Sequence, residues 1–237
     1  MRGDNPEAFA RIERQVVACR RCPRLVAWRR EAARHPPRRF RGQTYWARPL
    51  PAFGQPGARL VLVGLAPAAH GGNRTGRLFT GDESGDFLFR ALHRLGLASL
   101  PVSRHAGDGM RLSRALLTAA CRCAPPDNFP TPAEFDNCRP FLERELDLVR
   151  GPHVVLALGT LAFAQCARAL ARGEAPPAPR PRFAHGARAQ IGPHVLYASY
   201  HPSQQNTFTG KLTQAMLRSV LRRAMREAGR VPDRWSS

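Results

Sequence analysis

Four short apolar runs, separated by stretches with helical spacing, set the plan of the chain. Leu60 to Val63, Ala115 to Cys121, Val154 to Gly159 and Val195 to Ser199 are continuous rather than alternating, the pattern of strands buried on both faces. Between them, Asp86 to Leu95 repeats Phe87, Leu88, Ala91, Leu92 and Leu95 at the period of a helix. Pro132 to Val149 reads as a second helix, with Thr131 as its N-cap and Glu134 as the capping-box partner. Thr160 to Arg172 follows the third strand as a helix. Thr209 to Glu227 closes the chain with Leu212, Met216, Val220 and Leu221 on one face. Glu7 to Val17 reads as a short leading helix. Strands alternating with helices predict an α/β fold: three α/β/α layers around a central four-stranded parallel sheet, in a single domain across residues 1–237. Arg29 to Gly57, punctuated by five prolines, reads as a basic surface loop or a linker over a sheet edge. Leu97 to Arg111 reads as irregular with a turn at Gly107-Asp108-Gly109, and Gly173 to Pro193 as a loop or irregular hairpin.

The polar segments fall where the strands end. The longest runs from Gly64 to Asp82, and open α/β sheets place their ligands beyond the carboxyl ends of strands. Its glycines admit a ligand close to backbone N–H groups. Phe79 offers a stacking face and Asp82 a carboxylate. Asp82 also suits the N-cap of the helix that follows. Two further strands end at Arg122-Cys123-Ala124-Pro125-Pro126-Asp127-Asn128 and Tyr200-His201-Pro202-Ser203-Gln204-Gln205-Asn206.

Charge narrows the partner. The 37 basic residues exceed the 17 acidic ones, a formal net charge of +20, and Lys211 is the sole lysine. Compositional bias toward arginine explains that choice of base, but not the shortage of acids. A field of this sign attracts polyanions, so nucleic acid is the expected partner and an anionic membrane the second. Tyr45 and Trp46, lying between Arg41 and Arg48, suit contact with a nucleic-acid backbone. Residues Met1 to Arg14 lack an apolar segment, and no stretch approaches 18 apolar residues. A cytoplasmic, nucleoid-associated monomer is expected.

There are six cysteines, and a CxxC pair in a reducing compartment points to metal binding or redox activity rather than a structural disulfide. Cys19 and Cys22 form a CxxC pair, Cys123 lies just past a strand end, and Cys138 sits fifteen residues later on a helix. Four thiolates suit an iron–sulfur cluster or a tetrahedral zinc, and spacing does not choose. Cys121 and Cys166 read as core residues, although Cys121 is near enough to Cys123 to replace it as a ligand.

Together these segments resemble the uracil-DNA glycosylase superfamily. The resemblance rests on Gly64-Leu65-Ala66-Pro67-Ala68, Thr75-Gly76-Arg77 through Phe79-Thr80-Gly81-Asp82, Arg122-Cys123-Ala124-Pro125-Pro126 and Ser199-Tyr200-His201-Pro202-Ser203. Within the superfamily they are most similar to the family 5 (type B) enzymes, over about Cys19 to Leu217. The resemblance implies a [4Fe–4S] cluster on Cys19, Cys22, Cys123 and Cys138. It also implies hydrolysis of the N-glycosidic bond of a deaminated base in DNA, the first step of base excision repair. On this reading Asp82, Asn128 and His201 are catalytic, and Gly64, Leu65, Ala66, Ala68, Phe79 and Ala119 surround the base. His70, Asn73, Arg74, Ser203, Gln204, Gln205 and Asn206 are expected to meet DNA.

Two departures from related families shape the expectation further. Leu65 stands where others carry an acidic or polar residue, so Asp82 is the nearest carboxylate on that loop. Ala119 stands where others place an asparagine to read the pyrimidine edge, which predicts a range widened to hypoxanthine and xanthine. Two other readings stay open at this point. One is a non-catalytic, metal-stapled nucleic-acid-binding protein. The other is a zinc-stapled α/β enzyme acting on phosphates.

Overall fold

Residues 6–149, 153–172 and 181–230 are described by the structure, a computed structural model. Its centre is β2 (Leu60–Gly64), every residue of which is buried. Parallel neighbours flank it: β3 (Ala115–Ala119) pairs Leu62 with Leu117, and β4 (Val154–Leu158) pairs Leu62 with Leu156. A fourth parallel strand, β6 (His194–Ser199), lies outside β4.

The period of two along each strand divides the core. Leu60, Leu62, Leu117 and Leu156 join Leu88, Phe89 and Leu92 of α4 (Glu83–Arg94) and Leu217, Val220 and Leu221 of α8 (Gln214–Arg230) on one face. Val61, Val63, Leu116 and Val155 face the other way. There they meet Leu142 and Leu146 of α5 (Pro132–Leu148) and Phe163, Cys166 and Leu170 of α6 (Thr160–Ala171). The three layers and the parallel core are therefore as expected. Cys166 is a core residue, and the capping box of Thr131 and Glu134 is present at the start of α5.

The sheet is wider than four strands. Two antiparallel edges extend it to six, in the order β1-β3-β2-β4-β6-β5. The edge strand β1 (Phe53–Gly54) has two residues and lies inside the stretch expected to be loop. The other edge strand, β5 (Arg188–Ile191), pairs back on β6 within the segment expected to be loop or hairpin. Its residues 173–180 lie outside the described residues. Short, polar edges carry too little apolar pattern to stand out in a sequence.

Helix boundaries also shift. The leading helix α1 spans Pro6–Ala18 and is followed by α2 (Pro23–Arg34), which occupies part of the expected basic loop. One turn, α3 (Gly72–Thr75), forms within the long segment after β2. The closing helix α8 starts five residues later than expected, at Gln214, and a separate short helix, α7 (Gln204–Phe208), forms in the polar segment after β6. The second apolar run ends as a strand at Ala119, so Cys121 belongs to the loop beyond it. Among the described residues, no helix is long and apolar enough to cross a membrane.

Candidate active site at the strand tips

Asp82 caps α4 from the position just before it. Its Oδ1 accepts a hydrogen bond from the Gly85 N–H at 2.9 Å. Its Oδ2 occupies the space beside Gly71, where a Cβ would lie 1.9 Å from that oxygen and 3.3 Å from the Ala68 methyl. Burial raises the carboxyl above its ordinary range, and the capping N–H of Gly85 opposes the rise. The two oxygens thus divide their tasks: one holds the helix, and the other faces the backbone of the Gly64–Asp82 segment.

Three residues before Asp82, Phe79 adopts φ +51°. A bulky residue in the left-handed region is strained, and such strain concentrates at working sites. Gly85 makes the conformation possible, because a Cβ there would fall 2.0 Å from the Phe79 carbonyl oxygen. The ring is laid against the tip of β2, where a Cβ on Gly64 would meet it at 2.6 Å. Its other neighbour is His201, two residues past β6, with ring centroids 5.9 Å apart and planes inclined by 32°. Burial lowers the His201 imidazole to about 4, so the ring is neutral near pH 7. Phe79 therefore joins the two polar groups, linked to Asp82 through the chain and to His201 by ring contact.

The surrounding segment is held by arginines turned inward. Arg74 donates Nε to the His70 carbonyl (2.8 Å), Nη1 to Gln43 (2.9 Å) and Nη2 to the Gly81 carbonyl (2.9 Å), and lies over the Phe40 ring. Arg77 is buried against Asp108 (2.7 Å) and Ser103 (2.8 Å), over the Phe53 ring. Against the push of burial, Arg77 and the N–H groups of Met110 and Arg104 hold Asp108 down at about 2. Asn73 is 1% exposed and donates to the carbonyls of Arg29 (3.1 Å) and Ala69 (3.3 Å). Asn73 and Arg74 were expected to meet DNA. In the structure the side-chain N–H groups of both are directed to internal oxygens.

His70 is half-buried, bonded through Nδ1 to the Tyr45 hydroxyl (2.9 Å), and its imidazole is lowered by burial and by Arg39 and Arg74. Gln204 and Gln205 are exposed on α7, while Asn206 donates to the His201 carbonyl (2.9 Å) and ties α7 to the site. Ser203 is partly exposed at the N-cap of α7. Asn128 is exposed in the turn Pro126–Asn128 at φ +59°, and no hydrogen bond joins it to Asp82 or His201. Ala119 is buried at the tip of β3, its register partner being Gly64. Leu65 and Ala66 are partly buried, and they pack against the apolar cluster that contains Cys22, Cys121, Cys123 and Cys138.

The fold brings the four expected thiols together. Cys19, Cys22, Cys123 and Cys138 line one small recess with Asn137 and Pro49, and Cys121 is not among its lining residues. Asn137 Nδ2 lies 3.5 Å from the Cys22 sulfur, and Arg29 Nη1 lies 2.9 Å from that of Cys123. Burial pushes the Cys123 thiol up to about 12, with Arg29 opposing it. Arg29 is 3% exposed, and its Nε has no hydrogen-bond partner. Among the described residues, no three His, Cys, Asp or Glu side chains converge as ligands of one ion.

A family model described as the uracil DNA glycosylase superfamily matches residues 51–224. The chain belongs to that superfamily. Among its relatives, the Type-5 uracil-DNA glycosylase of Thermus thermophilus is 52% identical, over 94% of this chain and 98% of the relative. That of Mycobacterium leprae is 50% identical over 96% and 97%, and that of Mycobacterium tuberculosis 52% identical over 90% and 80%.

For this superfamily member, the sequence motifs located the strand-tip residues but not their supports. Arg29, Tyr45, Asp108 and the buried pair Arg122–Glu145, which also takes the Thr118 hydroxyl, were given no supporting role from the sequence. One signal was present for Asp108, an acid between two glycines in a chain poor in acids.

Proposed function

We propose that this chain is a uracil-DNA glycosylase that hydrolyses the bond between uracil and deoxyribose in DNA. The observation that carries the reading is the Phe79 ring resting on the tip of β2 beside the neutral imidazole of His201, three residues before the buried carboxylate of Asp82. A base inside a duplex is out of reach, so it must be extruded, at a cost of roughly a few kcal/mol. Phe79 supplies the face on which it stacks. As the glycosidic bond breaks, the base departs with negative charge and the sugar becomes cationic. A neutral imidazole at His201 donates a hydrogen bond to the developing anion without needing a proton from solvent. The ionised Asp82 orients water toward the sugar or stabilises its charge, and Asn128 on the neighbouring rim is assigned a supporting polar role. General-base assistance of this kind contributes ~10²–10⁴-fold.

Two finer assignments follow. The recess of Cys19, Cys22, Cys123 and Cys138 suits a [4Fe–4S] cluster. All four thiols line it, and the buried Arg29 offers charge to the sulfur of Cys123. Such a cluster would staple α1, the β3 loop and α5 together behind Leu65 and Ala66, leaving the bond cleavage to Asp82 and His201. The methyl of Ala119 offers no pairing group, which supports excision of hypoxanthine and xanthine as well as uracil.

The test is incubation with an oligonucleotide carrying one uracil, followed by alkaline cleavage at the abasic site. Strand scission with the wild type and its loss in Asp82→Asn, with DNA affinity retained, is the expected result. Binding without scission under any condition favours the non-catalytic reading. Parallel substrates carrying hypoxanthine or xanthine test the range, and strict preference for uracil overturns that part.

A further inference from the structure

A second feature suited to DNA lies away from the strand tips. Between α1, α2 and residues 46–51 runs an open groove of about 960 Å³. Arg14, Arg20, Arg30 and Arg48 line it, all exposed, and none forms an ion pair among the described residues. Glu13 is the acid on its wall, half-buried on the inner side of α1. Trp46 is 36% exposed at the groove and held in place, its indole N–H donating to the Pro49 carbonyl at 3.2 Å and Arg48 lying 5.8 Å over its ring.

The groove is joined to the site already described. The Trp46 and Ala47 N–H groups donate to the carbonyls of Arg74 and Asn73 at 3.0 Å each, so the floor of the groove continues into α3. Several other arginines, such as Arg24, Arg77 and Arg122, are paired with carboxylates. Here four arginines, unpaired among the described residues, line one groove, with Arg48 over the Trp46 ring. A phosphodiester backbone fits that chemistry, with guanidinium on phosphate and the indole against a deoxyribose.

We propose that this groove holds the backbone of one DNA strand flanking the extruded nucleotide, lengthening the footprint on one side of the lesion. The inference rests on the reading of the chain as a DNA glycosylase, and the experiment measures binding alone, so the two fail separately. The probes are duplexes carrying one uncleavable abasic-site analogue (tetrahydrofuran), with one flank, then the other, lengthened in steps. Wild-type affinity should rise as one flank grows and level off once the groove is filled. In R14A/R30A/R48A that rise should vanish, and the slope of log affinity against log salt should fall by about 1 for each arginine removed. A charge-matched control, R111A/R222A/R226A, should keep the dependence on flank length, and Trp46→Ala should weaken only the longer duplexes. Circular dichroism of each variant establishes that it is folded. Equal weakening of R14A/R30A/R48A on short and long duplexes, or none, overturns the proposal.

Discussion

The Oδ2 atom of Asp82 sits where a side chain at position 71 would be, 1.9 Å from the Cβ that any other residue would carry there. The glycine and the carboxylate therefore form one device, although eleven residues separate them. Gly71→Ala should force Asp82 off its position. Excision in single turnover is expected to fall about 10²-fold, the cost of misplacing a reacting group by roughly an ångström. A variant with wild-type turnover would show that Oδ2 has no role at that spot.

Capping and chemistry at Asp82 are separable. Asparagine caps a helix about as well as aspartate, while alanine costs about 1 kcal/mol. Asp82→Asn should keep the melting temperature and lose ~10²–10⁴-fold in excision rate. Asp82→Ala should lose both. Equal activity in wild type and Asp82→Asn would reduce the residue to a cap.

The pH profile separates the two strand-tip groups. Burial raises the Asp82 carboxyl, so the acid limb of kcat/KM should lie above the ordinary aspartate value near 3.8. Burial lowers His201 to about 4, so no inflection from it should appear near 6.5. For stability the sign is opposite to that of a paired histidine. Between pH 6.5 and about 4 the unfolded imidazole binds a proton that the folded one refuses, so His201 lowers stability as the solution is acidified through that window. A limb near 6.5 that disappears in His201→Gln would contradict the neutral assignment.

Arg77 and Asp108 form a buried pair with side chains 5% and 7% exposed. Asp108→Ala leaves the guanidinium without its counter-charge and should cost about 3–5 kcal/mol in chemical denaturation. Because the Asp108 carboxyl is held at about 2, this support persists above 3.8 and is lost as the pH falls toward 2. A loss under 1 kcal/mol would mean that Ser103 and the Ala106 carbonyl suffice to satisfy Arg77.

Arg29→Met tests the thiol recess. With a cluster bound, removal of the guanidinium beside Cys123 should speed chelator-driven bleaching of the absorbance near ~400 nm by about 10–100-fold, the usual cost of losing such a support. Unchanged bleaching would leave Arg29 a packing role only.

Much of this arrangement was legible in the chain. Leu60–Val63 and Val154–Leu158 are read without difficulty, because strands buried on both faces allow no polar interruption. Asp82, Phe79 and His201 stand out since each lies in a polar segment at a strand end. The inward turn of Asn73 and Arg74 was hidden. A polar residue among glycines looks solvent-facing until the carbonyls of Arg29, His70 and Gly81 are in place around it. The edge strand β1 escaped for a different reason, being defined by the backbone of its neighbour rather than by its own side chains.

Arg74 ties three separate turns of chain with a single guanidinium, so the receiving surface is already assembled before any duplex arrives. Distortion on encounter then falls mainly on the nucleic acid. Lesions that weaken their own base pair should be taken up faster than well-paired ones, whatever their chemical identity.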